Sequence, residues 1–216
     1  MSNNCRIGIL GGSFDPVHWG HLQVAQQALR QVSLSQVIWV PSGSPPHKPI
    51  GMAHVSHRVA MIRAAIANYP AFSVSDVEGD SVGLSYAIEA LLHLQARYPH
   101  SEWYWILGAD TFQTLPRWYR WTELAQACQW LVAPRSSAND ASVQAMVQLA
   151  ERQVALRWQW LDMPLVDLSS RQIRQRCHLR QSIAALVPEV VRQYIEQHRL
   201  YGEPQTSEAS HLQEKD

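Results

Sequence analysis

A short apolar run, Arg6–Leu10 (RIGIL), stops at two adjacent glycines, and beyond Pro16 the residues Leu22, Ala25, Ala28 and Leu29 recur at helical spacing. An apolar run bounded by Gly-Gly reads as a buried strand entering a tight turn, and the spacing behind it predicts a helix over about Gly20–Gln31. Strand, glycine turn and helix form one βα unit, and the same alternation continues. Strands are expected at Gln36–Val40, Phe72–Val77, Trp103–Leu107, Trp130–Ala133 and Ala155–Leu161. The helices expected between them lie at Val55–Asn68, Tyr86–Tyr98, Thr122–Cys128 and Ala141–Arg152. Repeated βα units specify an α/β fold with a doubly wound, mostly parallel sheet and helices on both faces. Near the end, Ser169-Ser170 precedes RQIRQR as a serine cap precedes a helix, and Pro188 opens another helix with Val190, Val191, Tyr194 and Ile195 on one face. Residues 1–202 are therefore read as one domain with a small helical subregion over about 165–202. The polar, aperiodic residues 203–216 are read as a disordered tail.

Charge narrows the function. Eighteen Lys+Arg balance eighteen Asp+Glu, which argues against a nucleic-acid or membrane-surface partner held by a general field and makes any phosphate chemistry local. Cys5, Cys128 and Cys177 are far apart, with neither CxxC nor Cys/His ligand spacing, so no disulfide framework or zinc site is expected. The N-terminus reaches the glycine turn too early for a signal peptide, and no run of eighteen apolar residues follows. A cytoplasmic protein is expected.

The chemistry concentrates in Gly11-Gly12-Ser13-Phe14-Asp15-Pro16-Val17-His18-Trp19-Gly20-His21. Glycines let backbone N–H groups approach a phosphate, and the following helix offers its unsatisfied amides and positive dipole end to the same anion. His18 and His21 fall on one side of the helix's first turn, with Gly20 leaving space for a ligand between backbone and side chains. Either pattern alone reads as a turn with two surface histidines; together, at the end of a strand, they read as a phosphate site. Zinc would need a third ligand, for which Asp15 is the near candidate, and GGSFD does not form the GxSxG elbow that would make Ser13 a nucleophile.

The segment GGSFDPVHWGHL resembles the (H/T)xGH signature of the nucleotidyltransferase superfamily, and specifically bacterial nicotinate-nucleotide adenylyltransferases. PPHKP at Pro45–Pro49, GLSYAIEAL at Gly83–Leu91, LGADTFQTLPRWYRWTEL at Leu107–Leu124, LSSRQIRQR at Leu168–Arg176 and VPEVVRQYIEQHRLY at Val187–Tyr201 extend it, so it covers about Arg6 to Tyr201. It implies a Rossmann-like domain that transfers AMP from ATP to nicotinate mononucleotide, giving deamido-NAD and pyrophosphate in NAD biosynthesis, with magnesium accompanying ATP. By carry-over, His18 and His21 contact the triphosphate, Gly11, Gly12, Ser13 and Phe14 supply backbone contacts, and Asp15 belongs to the acceptor side. If either histidine works as a cation, activity should follow imidazole titration.

Further residues carry over singly. Of the eighteen basic residues sixteen are arginine, and apart from Lys215 in the tail the lysine is Lys48, which the PPHKP match assigns to substrate phosphate. Ser169, Ser170 and Arg174 match an SSTxxR pattern, but Arg171 stands where the pattern has threonine, replacing a hydroxyl with a charge. Gly108 and Asp110 match GxD, where the carboxylate accepts from ribose hydroxyls; a helix cap is the alternative. Trp118, beside Tyr119, is assigned to stack on the pyridine ring. Backbone N–H groups around Ser85, Tyr86 and Ala87 could hold the nicotinate carboxylate, with Ala87 replacing a threonine of the family's SYT. Arg135 reads either as a mononucleotide-phosphate ligand or as an exposed loop arginine. Trp39, Trp103, Trp105, Trp130 and Trp158 are assigned to the core or sheet faces, and exposed aromatics elsewhere would suit a homo-oligomer.

Three rival readings remain open: an adenylyltransferase for nicotinamide mononucleotide or phosphopantetheine, a fragment of a class I aminoacyl-tRNA synthetase, and a noncatalytic nucleotide-binding protein.

Overall fold

The computed structural model describes residues 5–43, 52–75, 86–135, 139–165 and 167–202. Six strands, β1 (Arg6–Gly12), β2 (Gln36–Pro41), β3 (Phe72–Val74), β4 (Glu102–Gly108), β5 (Gln129–Ala133) and β6 (Trp158–Trp160), form one sheet in the order β3-β2-β1-β4-β5-β6. Every pairing is parallel, as expected of strands joined by helical crossovers. The helices are α1 (Trp19–Gln31), α2 (Val55–Ile66), α3 (Ala87–Arg97), α4 (Ala109–Phe112), α5 (Trp121–Ala127), α6 (Asn139–Ala150), α7 (Ser170–His178) and α8 (Glu189–Gln197), with a 3-10 turn at Leu115–Arg117.

Both faces of the sheet are buried, and the strand period of two divides them. Ile7, Ile9, Ile38, Val40, Trp103, Trp105 and Leu107 point to one side, where Ile88, Leu91, Phe112, Leu124 and Val143 from α3–α6 cover them. Leu10, Val37, Trp39, Tyr104 and Ile106 point to the other, against Leu22, Met61, Ile62, Ile173 and Val191 from α1, α2, α7 and α8. The C-terminal helices thus share the core of the sheet. Gly8 faces this second layer, and a Cβ there would stand 2.8 Å from both Leu34 and Ile106 side-chain carbons. Glycine at that place permits the close packing of β1 against its neighbours.

The expected elements are present with shifted ends, and Trp39, Trp103, Trp105 and Trp130 are buried as expected. Trp158 lies half-buried on the edge strand β6. Two differences matter for the site: α4 and the 3-10 turn were not expected, and the expected strand Ala155–Leu161 contracts to three residues. The part of the expected strand Phe72–Val77 beyond Ser75, the Lys48 loop, Ser85 and residues 203–216 lie outside the described residues. Among the described residues no helix is long and apolar enough to cross a membrane.

The strand order reverses between β1 and β4, whose carboxyl ends carry Gly11-Gly12 and Gly108. In open α/β sheets that crevice is where ligands bind.

Candidate active site

The glycine turn stands between two cavities. The first, about 390 Å³, is lined by Gly11, Gly12 and Ser13, by His18, Gly20 and His21 of the α1 start, by Gly108, Asp110 and Arg135, and by Ser170, Arg171 and Arg174 of α7. The second, about 520 Å³, shares Gly11, Gly12, Ser13, Leu107 and Thr111 with the first and continues to Tyr86, Ala87, Trp105, Arg117, Trp118 and Tyr119. One is bordered by imidazoles and guanidinium groups, the other by aromatic rings.

His18 closes the start of α1 in extended backbone conformation, and the His21 ring returns over it with centroids 3.6 Å apart and planes 21° from parallel. The His18 backbone N–H donates to His21 Nδ1 at 3.3 Å. An Nδ1 that accepts cannot carry the proton, so neutral His21 bears it on Nε2, where it is a donor. Burial, and secondarily the charge of Arg135, lowers the pKa of His18 to about 3. Burial also pulls His21 well below the ordinary imidazole value, with further contributions from His18 and Arg135. Both shifts leave the rings neutral at pH 7, so of the two ways an imidazole could serve here, as a cation or as a neutral donor, the burial favours the second. His18 is 3% exposed, lines the first cavity, and its Nδ1 has no hydrogen-bond partner.

Side chains from distant elements fix the turn. Buried Arg58 of α2 donates from Nη1 to the Ser13 carbonyl at 2.6 Å. Arg174 donates to the Asp15 carbonyl at 2.7 Å, and the Ser170 hydroxyl donates to the Pro16 carbonyl at 2.8 Å. Carbonyls of residues 13, 15 and 16 are thereby turned toward protein donors, which suits a loop whose remaining edge must meet an anion. Phe14 takes a left-handed backbone (φ 48°), with its ring buried edge-on to His21 and tilted against Trp39. Gly12 faces that ring, and a Cβ there would lie 3.2 Å from it.

The structure redistributes several expected site residues. Asp15, expected beside the acceptor, is 1% exposed and borders neither cavity. Its carboxylate accepts from the Ala53 N–H at 3.0 Å and the Tyr201 hydroxyl at 2.7 Å, and lies 3.5 Å from Arg174. Arg135, also expected at the acceptor, stands in the histidine cavity and pairs with Asp110 at 3.2 Å. Asp110 does not cap α4, because Gly108 is the N-cap. Ser169 caps α7, accepting from the Gln172 N–H at 3.3 Å, while Ser170 and Arg174 reach the cavity wall. Tyr86, Ala87 and Trp118 meet in the aromatic cavity, with Trp118 Nε1 anchored on Thr114 Oγ1 at 3.0 Å. Sequence reasoning missed Arg58 and Tyr201. Arg58 could have been found, since it shares a helical face with Met61, Ile62 and Ala65, all buried.

Comparison with known proteins agrees with this arrangement. The cytidylyltransferase-like family model matches residues 9–176. A probable nicotinate-nucleotide adenylyltransferase of Trichormus variabilis is 48% identical over 204 residues, 91% of this chain and 97% of the relative. One of Synechococcus sp. (strain JA-3-3Ab) is 48% identical over 200 residues, covering 92% and 96%. In fold, the nicotinic acid mononucleotide adenylyltransferase of Plasmodium falciparum complexed with NaAD superposes with a TM-score of 0.76 over 92% of this chain and 98% of that one, at 18% identity. With relatives this similar over nearly their whole length, and with the histidine pair and glycine turn at the switch point of the sheet, the chain belongs to the nicotinate-nucleotide adenylyltransferase family.

Proposed function

We propose that the protein transfers AMP from ATP to nicotinate mononucleotide, releasing pyrophosphate and forming deamido-NAD. The observation that carries this reading is the pair of cavities meeting at Gly11–Ser13. The acceptor's 5′-phosphate must attack the α-phosphorus of ATP in line as the bond to the β-phosphate breaks, so two anionic molecules have to meet at one point. ATP occupies the cavity of His18, His21, Arg171 and Arg174, and the mononucleotide enters from the aromatic one.

The residues suit those roles. Neutral His21 offers its Nε2–H to the transferring phosphoryl group, and His18, which lines the same cavity, lies against the same phosphates. Fixed donors of this kind stabilise developing charge without covalent participation. Asp110, exposed at the rim beside Arg135, is placed for ribose hydroxyls. Trp118 and Tyr86 supply faces for the pyridine ring, and the first-turn amides of α3 at Ala87 remain donors for the nicotinate carboxylate although the threonine hydroxyl is missing. Lys48 remains assigned to phosphate on the sequence pattern alone.

Among the described residues no three His, Cys, Asp or Glu side chains gather as metal ligands, and the acidic side chain bordering the ATP cavity, Asp110, is paired with Arg135. This donor set fits magnesium carried on the triphosphate rather than by a protein cage. Bound there, it would neutralise phosphate charge. The test is direct: with ATP, magnesium and nicotinate mononucleotide, the protein should release one pyrophosphate per deamido-NAD formed. ATP binding without pyrophosphate release would favour a binding protein.

A further inference from the structure

Of the three carbonyls that side chains hold in the glycine turn, those of Asp15 and Pro16 belong to residues bordering neither cavity. The third belongs to Ser13, which borders both, and its donor is Arg58 Nη1 at 2.6 Å. Arg58 is wholly buried, on the face of α2 that carries Met61, Ile62 and Ala65. Taking a guanidinium out of water costs more than its contacts commonly return, and an apolar side chain would suit this face better. Departures of this kind from local rules concentrate where function requires them.

Backbone strain lies at the same peptide. Phe14 has φ 48°, a left-handed conformation that a bulky residue adopts rarely and keeps only where its surroundings fix it. Two sets of contacts do so: the ring is buried against His21 and Trp39, and the carbonyl before it is held by Arg58. Because a trans peptide is planar, holding the Ser13 oxygen also fixes the direction of the Phe14 N–H. The helix that carries Arg58 is itself braced. His57, the preceding residue of α2, meets the Tyr194 hydroxyl of α8 through Nδ1 at 3.0 Å, and its ring lies 5.1 Å from that of His198.

We propose that Arg58 is a positioning residue for the transfer step. By holding the Ser13–Phe14 peptide in its strained turn, it fixes the place where the acceptor phosphate and the α-phosphorus come into line. Resting on the adenylyl-transfer reading above, this role makes Arg58 act on the rate of transfer rather than on the affinity of either substrate, since it borders neither cavity.

The test is the single-turnover rate of deamido-NAD formation at saturating ATP, magnesium and nicotinate mononucleotide, with KM for each substrate, in the wild-type protein, Arg58→Lys, Arg58→Met and Ile62→Ala. Ile62, wholly buried on the same helix, supplies a variant destabilised by a cavity with no bond to the turn removed. Circular dichroism and thermal unfolding show which variants are folded at the assay temperature. Small misplacement of reacting groups costs about a hundredfold, so Arg58→Met should lose about that much in rate, and Arg58→Lys, which keeps a charged donor, about tenfold. Both KM values should change by less than about twofold, the signature of an interaction that acts on the reacting geometry alone. Ile62→Ala should keep the wild-type rate despite a lower Tm. An unchanged rate in the Arg58 variants, a rise in KM with the rate unchanged, or an equal loss of rate in Ile62→Ala would overturn the inference alone. Loss of the native fold in Arg58→Lys would overturn it too, leaving the guanidinium a purely structural group. A wild-type protein that forms no deamido-NAD would overturn it together with the reading beneath it.

Discussion

The Tyr201 hydroxyl donates to Asp15 Oδ1 at 2.7 Å, joining the segment after α8 to the glycine turn after β1. Asp15 is almost wholly buried, so its carboxylate depends on this contact, on the Ala53 N–H and on Arg174. Burial, the charge of Asp15 and this hydrogen bond push the Tyr201 hydroxyl far above the ordinary phenol value, keeping it a donor. The C-terminal segment therefore helps hold the turn that carries the site.

Tyr201→Phe leaves a buried carboxylate short of one donor, at a cost of about 1–3 kcal/mol. Denaturant unfolding should show that loss. Steady-state kinetics should show a lower kcat/KM for ATP as the turn loosens, and unchanged stability would mean that Asp15 is satisfied without the hydroxyl.

His21→Ala removes the Nε2–H donor while leaving the core of α1, built on Leu22, Ala25 and Ala28, in place. Turnover should fall by about 10²–10³, as for loss of one oxyanion-type donor. A folded circular dichroism spectrum with near-normal turnover would remove the role assigned to this ring.

Neutral, buried imidazoles predict a specific pH behaviour. In nuclear magnetic resonance titrations of the free protein, neither His18 nor His21 should change charge between about pH 5.5 and 8. The folded pKa of His18, about 3, lies below the unfolded value near 6.5, so its contribution to stability is full above 6.5. It is lost as pH falls through that window toward 3, with a slope of up to about 1.4 kcal/mol per pH unit. An imidazole at either position titrating near 6.5 would contradict the buried arrangement.

Trp118→Ala should separate the two cavities kinetically. Loss of an aromatic stacking face costs about 1–3 kcal/mol, so the acceptor KM should rise about ten- to a hundredfold with the ATP KM nearly constant. A rise in both would place the ring at neither cavity alone.

Much of this was legible in the chain because parallel strands buried on both faces read as apolar runs, as in QVIWV and WYWIL. The histidine pair was legible because its spacing and its place after a strand agree. Other parts had no local signal. ADTFQTLPRW lacks a helical period and contains Pro116, so α4 and the 3-10 turn were missed. β6 shortens because it is an edge, pairing with β5 alone through Trp130–Val132. The burial of Asp15 had no local signal, because its partners Tyr201 and Arg174 are remote in sequence. Which cavity Arg135 borders had no local signal either, because it is decided by the path of β5 next to β4.

The central claim is tested most directly by pyrophosphate release with ATP and magnesium, comparing nicotinate mononucleotide with nicotinamide mononucleotide. A site whose carboxylate is met by helix amides at Ala87 predicts a preference for the acid of about a hundredfold in kcat/KM, or about 2.7 kcal/mol. Equal rates with the two acceptors, or no release with either, would contradict it.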